Sequence, residues 1–377
     1  MKKMYLTTII LLALSPIVIS FFLVSTQDKN GANGTYDEKV YVAIEAEGRV
    51  GVIDSKSRKV IRSIDLSEVQ NNTFVAYTAH NIQVSPDGKK VLVTANVNRG
   101  GMGNENSKKK EDVTDGLVDK IFIIDPLTDT VVGSIPIDSD AHLAHIVLNS
   151  SSDMAYISSQ EKGKVYAVDL NRNKVVSTSD LGEGSAPHGL RILPDDSKVF
   201  IALIGKKAMA SLETKTGEIK YYPLSGAAVQ TAVTPDGRYV LATVYDTKKI
   251  AWINVQTNEQ GYIDLPSDAK GPVQIYATPD SQYAYVADQG YYFEQPTGSA
   301  VYRINISEKA VDRTIGAGSA PHGVVVDKAG AFVYVTNLLS EDVSVIDTTT
   351  YKEAARIPIG KMPNGISIWS RTLGGTP

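Results

Sequence analysis

From Lys39 onward, short apolar runs that alternate hydrophobic and polar positions are separated by turn-forming residues. A period of two, bounded by Gly, Pro, Asn and Asp, is typical of β-strands. One pattern recurs roughly every 42 residues: a strand, an acid or amide, a polar turn and a second strand. The acid or amide stands at Asp54, Asp125, Asp169, Glu213, Asn254, Asn305 and Asp347. We expect these side chains to cap the turn by accepting hydrogen bonds from backbone N–H groups.

A second turn signal follows the first strand of the repeat, with diverged copies at Ser150 and Lys328, and predicts a hairpin between two further strands. It occurs as Pro86-Asp87-Gly88, Pro194-Asp195-Asp196, Pro235-Asp236-Gly237 and Pro279-Asp280-Ser281. Each repeat therefore contains four antiparallel strands, a to d. In the last repeat the predicted strands are His322–Val326, Phe332–Thr336, Val343–Ile346 and Ala354–Ile359.

The two ends of the repeat region complete one unit. Lys39 to Leu66 supplies only strands b, c and d, and Asn364 to Trp369 resembles a lone strand a. Pairing these segments would close a ring without an unpaired edge. The sequence thus predicts an all-β fold, a seven-bladed β-propeller over residues 39–370, with blade 1 closed by the C-terminal strand and a short tail at 371–377.

The N-terminus has a different pattern. Lys2 and Lys3 precede an uncharged stretch, Met4 to Val24, which is long enough to form a membrane-spanning hydrophobic helix. Residues 1–26 are predicted to be an uncleaved anchor or a cleaved signal peptide; a helix buried in the fold is the remaining alternative. Residues 27–38 are polar and are expected to form a flexible tether. The lysines place the rest outside the cytoplasm, either anchored to the outer side of the membrane or secreted.

The amino-acid composition excludes several kinds of binding site and catalytic site. The formal net charge is −4, which argues against nucleic-acid binding, and the absence of cysteine excludes disulfides, thiolate metal sites and covalent haem attachment. The nucleophile elbow, zincin, phosphate-loop and dinucleotide-binding motifs are also missing.

Histidine is the residue type that suggests a site. There are five, and His80, His188 and His322 occupy one position, the start of the innermost strand in blades 2, 4 and 7. His145 is one residue out of phase with Ala144 in blade 3, and His142 lies just before that strand. We expect all five near one mouth of the central channel, where imidazoles can bind Zn, Cu or Fe, a haem-like group or another ligand. The alternative is structural: a repeated histidine can simply hydrogen-bond the backbone of the next blade.

Two enlarged b–c loops are predicted to flank the same mouth, Asn96 to Asp119 and Asp288 to Ser299. In the second loop, Tyr291, Tyr292 and Phe293 are candidates for an aromatic lip that contacts a ligand or partner. Asp87, Asp236 and Asp280 belong to a–b turns on the opposite face and are therefore poor partners for a histidine base.

The last repeat contains three characteristic segments, Ser319-Ala320-Pro321-His322-Gly323-Val324, Val333-Tyr334-Val335-Thr336-Asn337 and Val343-Ser344-Val345-Ile346-Asp347, and Ser185-Ala186-Pro187-His188-Gly189-Leu190 is a second copy of the first. These segments resemble the YVTN-repeat propeller family. The resemblance implies the fold, and related propellers include surface-layer components, haem d1 domains and quinoprotein subunits. Trp252 and Trp369 are the only tryptophans, so a tryptophan-derived quinone cofactor finds no match.

Three functions remain open. The first is a membrane-tethered module that binds a small ligand or an extracytoplasmic protein through the mouth, with His80, His145, His188, His322, Tyr291 and Tyr292 as ligand-binding residues. The second is an oxidoreductase or electron-transfer protein with a metal or cofactor on His80, His188 and His322. The third is a lactonase-type hydrolase with a mouth histidine as base, for which the sequence places no partnering carboxylate.

Overall fold

The computed structural model of the chain describes residues 36–70, 72–98, 116–372 and 374–375, and residues from Tyr36 onward form one compact unit. The predicted N-terminal helix, the signal or anchor at 1–26 and most of the tether lie outside the described residues, as does the middle of the Asn96 to Asp119 loop. Among the residues that are described, there is no helix with the length and hydrophobicity needed to cross a membrane.

Blade 1 is assembled from both ends of the described chain. Its sheet has the order β3-β2-β1-β30-β31, in which β30 is antiparallel to β1 and Lys39 pairs with Trp369. The strands are β1 (Glu38–Ile44), β2 (Arg49–Asp54), β3 (Lys59–Asp65), β30 (Pro363–Ser370) and β31 (Gly374–Gly375). The predicted circular closure is confirmed. A small hairpin of β4 (Glu68–Gln70) and β5 (Thr73–Val75) follows blade 1.

Blades 2 to 7 each use four consecutive antiparallel strands, innermost first. Blade 2 has β6 (Tyr77–Val84), β7 (Val91–Val97), β8 (Asp119–Asp125) and β9 (Thr130–Asp138). Blade 3 has β10 (Leu143–Leu148), β11 (Met154–Ser159), β12 (Lys164–Asp169) and β13 (Lys174–Asp180). Blade 4 has β14 (Pro187–Ile192), β15 (Lys198–Leu203), β16 (Ala208–Glu213) and β17 (Ile219–Pro223).

The remaining blades repeat the arrangement. Blade 5 has β18 (Ala228–Val233), β19 (Tyr239–Val244), β20 (Lys249–Asn254) and β21 (Gln260–Asp264). Blade 6 has β22 (Pro272–Ala277), β23 (Tyr283–Asp288), β24 (Ala300–Asn305) and β25 (Ala310–Gly316). Blade 7 has β26 (Pro321–Val326), β27 (Phe332–Asn337), β28 (Asp342–Asp347) and β29 (Lys352–Pro358). Within the described ranges, two short 3-10 helices, Glu45–Glu47 and Tyr292–Glu294, lie in b–c loops.

The hydrophobic core lies between blades, because the side chains of a strand alternate between the two faces of its sheet. In β7, Val91 and Val93 pack with residues of blade 1, whereas Leu92 packs with residues of blade 3. Each blade therefore buries both faces against its neighbours, and closure of the ring leaves no blade with an exposed face.

The turn residues predicted from the repeat behave as expected in six of seven copies. The Asp and Asn copies accept hydrogen bonds from backbone N–H groups of the c–d turn, as between Asp54 and the N–H of Ser57 at 2.9 Å. Glu213 is the exception: its carboxylate lies 2.8 Å from Lys198 instead. The additional methylene of glutamate carries its carboxylate beyond the turn.

Substitution of Trp369 provides a test of the ring closure in blade 1. Its side chain is 2% exposed in β30, its Nε1 donates to the carbonyl of Gly88 at 2.8 Å, and Lys39 Nζ lies 5.3 Å from the ring. Trp369→Ala is expected to lower the free energy of unfolding by about 3–5 kcal/mol. Trp252→Ala is the control, because Trp252 is only partly buried on an outer part of blade 5. Urea unfolding followed by far-UV circular dichroism measures both, and equal losses would contradict a closing role for Trp369.

Candidate functional site

A β-bulge at the start of every innermost strand positions the site. In blade 4, Pro187 pairs with Leu203 and Leu190 with Ile201, so two residues, His188 and Gly189, face one residue of β15. The same shift occurs in all seven blades. A bulge bends the strand and redirects side chains. The first bulge position holds His80, His188, His322, Asn364, Ala144, Val229 and Val273, which is the equivalence predicted from the repeat.

Hydroxyl side chains of strand b hold these bulges and link neighbouring blades. Thr336 Oγ1 accepts from the N–H of Gly323 at 2.7 Å and donates to the carbonyl of Asn364 in blade 1 at 2.8 Å. Ser158 accepts from the N–H of His145 in the same way and donates to the carbonyl of His188. Thr94 and Thr243 form the same bridge in blades 2 and 5. Each hydroxyl thereby provides an acceptor for the backbone N–H that the bulge leaves unpaired. The backbone that carries the bulge histidines is held in place by the same bonds.

Four of the five histidines form one cluster on the channel axis. The His80 ring centroid lies 5.8 Å from that of His142, 5.9 Å from that of His145 and 5.6 Å from that of His188. The rings of His145 and His188 are 4.8 Å apart. One ring nitrogen each of His80, His145 and His188 lies within 4.8 Å of the other two, and all three residues are buried. We call His80, His145 and His188 the histidine triple.

Glu45, which carries no repeat signal in the sequence, contacts His80. Its Oε1 lies 2.9 Å from His80 Nδ1, and its Oε2 accepts from the side-chain amide of Asn364 at 2.7 Å. Burial alone raises the pKa of Glu45, but the attraction of His80 and the hydrogen bonds from His80 and Asn364 outweigh it and lower the pKa to about 2. Glu45 is therefore a buried carboxylate that accepts the Nδ1 proton, and His80 Nε2 has no hydrogen-bond partner among the described residues.

His188 and His145 are held differently. His188 Nδ1 donates to the carbonyl of Val229 in blade 5 at 3.0 Å, which is the structural contact expected of a repeated histidine. His145 occupies the second bulge position, and its Nδ1 and Nε2 each lie 3.3 Å from a glutamine amide nitrogen, of Gln230 and Gln274 respectively. Gln274 belongs to blade 6, so this contact crosses the channel axis.

His322 lies beside the histidine triple with its own partners. The amide of Gln289 contacts its Nδ1 at 2.7 Å, and the Tyr292 ring stands edge-on to it at 6.0 Å. His322 Nε2 is buried and has no hydrogen-bond partner among the described residues. Tyr245 fixes this loop by donating to the carbonyl of Gly290 at 2.9 Å. Tyr291, next to Tyr292, is 42% exposed and available to a ligand at the mouth.

Burial favours the neutral form of four of the imidazoles, those of His142, His145, His188 and His322. Desolvation, reinforced by the neighbouring His80, lowers the pKa of His188 to about 3 and that of His322 to about 4. Burial and the adjacent His188 hold the pKa of His145 well below its usual range, and burial also lowers that of His142. A neutral imidazole is the form that binds a metal ion or accepts a proton.

Glu45 and Gln289 occupy equivalent positions in blades 1 and 6, and neither position belongs to the repeat pattern from which the site was predicted. Each is the first residue after strand b, and each contacts the histidine of the following blade. In the sequence they stand in loops, outside the strands that carry the repeat signal. A polar residue at this position, directly preceding a blade with a mouth histidine, was the available clue.

Comparisons with known proteins support the fold alone. No protein-family model matches the chain, and no curated protein matches it in sequence. Among solved structures, hydrazine synthase from Kuenenia stuttgartiensis matches with a TM-score of 0.61 and 16% identity, covering 79% of this chain and 94% of that one. A catalytically inactive histidine-to-alanine variant of virginiamycin B lyase from Staphylococcus aureus, with quinupristin, matches with a TM-score of 0.60 and 15% identity, covering 82% and 96%. The chain is thus a seven-bladed β-propeller.

The second bulge position provides a test of the packing. A Cβ at Gly189 would lie 1.8 Å from Gln230 Oε1 and 2.6 Å from Gln230 Cα, whereas one at Gly133 in β9 meets nothing within 4 Å. Gly189→Ala is expected to cost about 1–3 kcal/mol of stability, because the bulges must separate. Gly133→Ala, the control, should be neutral or stabilising by about 0.4–1 kcal/mol. Thermal unfolding measures both, and a neutral Gly189→Ala would refute the close approach.

Proposed function

We propose that the protein is an exported propeller that binds a divalent zinc or copper ion through His80, His145 and His188. One observation carries the proposal: His80 presents a buried Nε2 that no described residue contacts by a hydrogen bond, while its Nδ1 is held by the Glu45 carboxylate. Metal-binding histidines characteristically donate their other ring N–H to a carboxylate or a backbone carbonyl, which fixes the tautomer and the ring orientation.

The two other imidazoles fit the same chemistry. His188 donates its Nδ1 proton to the carbonyl of Val229, which leaves Nε2 as the lone-pair nitrogen. Neutral imidazoles without a thiolate suit zinc or copper. A tetrahedral zinc with Zn–N distances of about 2.0–2.1 Å needs ligand nitrogens roughly 3.4 Å apart. The nitrogens of the histidine triple lie within 4.8 Å of one another, so binding draws the rings together and separates His145 from one of its glutamines.

Export and family membership are part of the proposal. Lys2 and Lys3 before the uncharged stretch favour a location outside the cytoplasm, anchored or released by cleavage. The YVTN-like segments support membership of that repeat family, and the Thr of Val333-Tyr334-Val335-Thr336-Asn337 is one of the hydroxyls that bridge blades. In this location the ion-bearing mouth, with Tyr291 and Tyr292 at its lip, is a binding site for a small ligand or an extracytoplasmic protein.

Metal titration of chelator-treated protein by calorimetry tests the site. We expect one zinc or copper ion per chain, with affinity reduced at least about tenfold in His80→Ala and His188→Ala. Glu45→Gln should lower the affinity by about 10–100-fold, because it removes the orienting carboxylate. His322→Ala is the matched control, since it removes a mouth imidazole outside the histidine triple, and should change the affinity by less than about threefold. Absence of saturable binding, or equal effects of all four variants, would contradict the proposal.

A second candidate function is favoured by the Glu45–His80 pair. A histidine whose Nδ1 is held by a carboxylate can act as a general base through Nε2, as a lactonase-type hydrolase requires. The lyase among the similar structures is inactive when one of its histidines is replaced by alanine. If the protein is such a hydrolase, we expect the metal-free protein to hydrolyse a lactone probe such as dihydrocoumarin, and His80→Ala should abolish this activity. A metal-free wild-type protein that leaves the probe intact removes the candidate.

A further inference from the structure

A second cavity lies at the opposite end of the channel, where the a–b turns converge. Its volume is about 410 Å³, within the range of small-molecule sites of about 300–1,000 Å³. The rim is built from the turn prolines Pro86, Pro194, Pro235 and Pro279. The wall is mostly apolar and includes Val147, Val233 and Tyr276. The contacts of His145 with Gln230 and Gln274 cross the channel between this cavity and the histidine mouth.

Arg191 is the unusual group in the wall. It pairs with Phe200, and the equivalent positions in the other six blades hold Ser367, Gln83, Val147, Ala232, Tyr276 and Val325. None of these residues is charged. Arg191 therefore departs from the repeat pattern, because the other six blades have small, apolar or neutral polar residues at the equivalent position.

Arg191 has no counter-ion among the described residues. Its NH1 donates to the carbonyl of Leu190 at 2.9 Å, and no carboxylate of the described residues forms an ion pair with it. Burial lowers the pKa of this guanidinium, which nevertheless stays charged at neutral pH. Arg191 is partly buried beside apolar surface, where an accompanying anion would offset the cost of taking its charge out of water.

Two other charged residues line the cavity. Lys328 projects from the a–b turn of blade 7, and burial lowers its pKa. Asp196 lies at the rim, where its carboxylate accepts from the N–H of Ser150 at 2.9 Å and from the Ser150 hydroxyl at 2.5 Å. The Asp196 carboxylate therefore faces Ser150 at the rim, and Arg191 is the cation in the wall of the cavity.

We propose that this cavity binds an amphiphilic monoanion: an apolar body fills the space between the turn prolines, and its carboxylate pairs with Arg191. A guanidinium offers a planar fork that matches a carboxylate with two parallel hydrogen bonds. The apolar wall of the cavity would contact the body of the ligand, and the Arg191 guanidinium would bind its carboxylate. The site is independent of the metal proposed at the other mouth.

Fluorescence titration of the full-length protein with pyrenebutyrate, and with its neutral analogue pyrenebutanol, tests the inference. We expect saturable binding of pyrenebutyrate that Arg191→Met weakens by about tenfold or more, because a charge-assisted hydrogen bond is lost. Binding of pyrenebutanol should change by less than about threefold. Arg238→Gln, an exposed cation on the same side of the protein but outside the cavity lining, is the control and should leave both probes unaffected.

Photo-cross-linking of wild-type protein with 4-benzoylbenzoate gives a readout that does not depend on folding of the variants. The label is expected on peptides that contain residues 191–196 and 232–235, and excess pyrenebutyrate should suppress it. Failure of pyrenebutyrate to bind, equal weakening of both probes by Arg191→Met, or labelling only at the histidine mouth would overturn the inference.

Discussion

The hydrogen bond between a strand-b hydroxyl and the bulge of the innermost strand is the constraint on which the site depends. A bulge leaves one backbone N–H unpaired, and such a group is costly when buried. In four blades a Thr or Ser accepts from that N–H and donates to the carbonyl of the next bulge, as Thr336 and Ser158 do. The bond thus satisfies the bulge and joins neighbouring blades at the same point, so the bulge residues have little freedom to move.

This constraint brings together histidines that are far apart in the chain. Ring closure places seven bulges around one axis, and two bulge positions per blade give two tiers of side chains. Gly189, Gly323 and Gly365 occupy the second tier where another bulge approaches too closely for a Cβ. His145, Gln230 and Gln274 fill the space that these glycines leave. The tiers separate two environments, with imidazoles at one end of the channel and an apolar cavity with a guanidinium at the other.

The sequence predicted what the repeat encodes, and missed what depends on contacts between blades. The closure of β30 on β1, the shared position of His80, His188 and His322, and the side of the Asp288 to Ser299 loop all follow from the phase of the repeat. Glu45 and Gln289 offered only one clue, a polar side chain directly after strand b, because their role arises only when a loop meets the next blade. His145 was placed out of phase with Ala144, but its position beside His188 depends on the bulge. Arg191 carried no signal, since one cation in a strand becomes unusual only after seven strands are aligned.

Anomalous diffraction from crystals of protein purified from its native host tests the central claim most directly. Data collected on both sides of the zinc and copper absorption edges would locate and identify a bound ion. The account predicts a single strong anomalous peak among the imidazoles of His80, His145 and His188, with the Glu45 carboxylate behind His80. A histidine mouth without an anomalous peak, or a peak ligated by other residues, would contradict it.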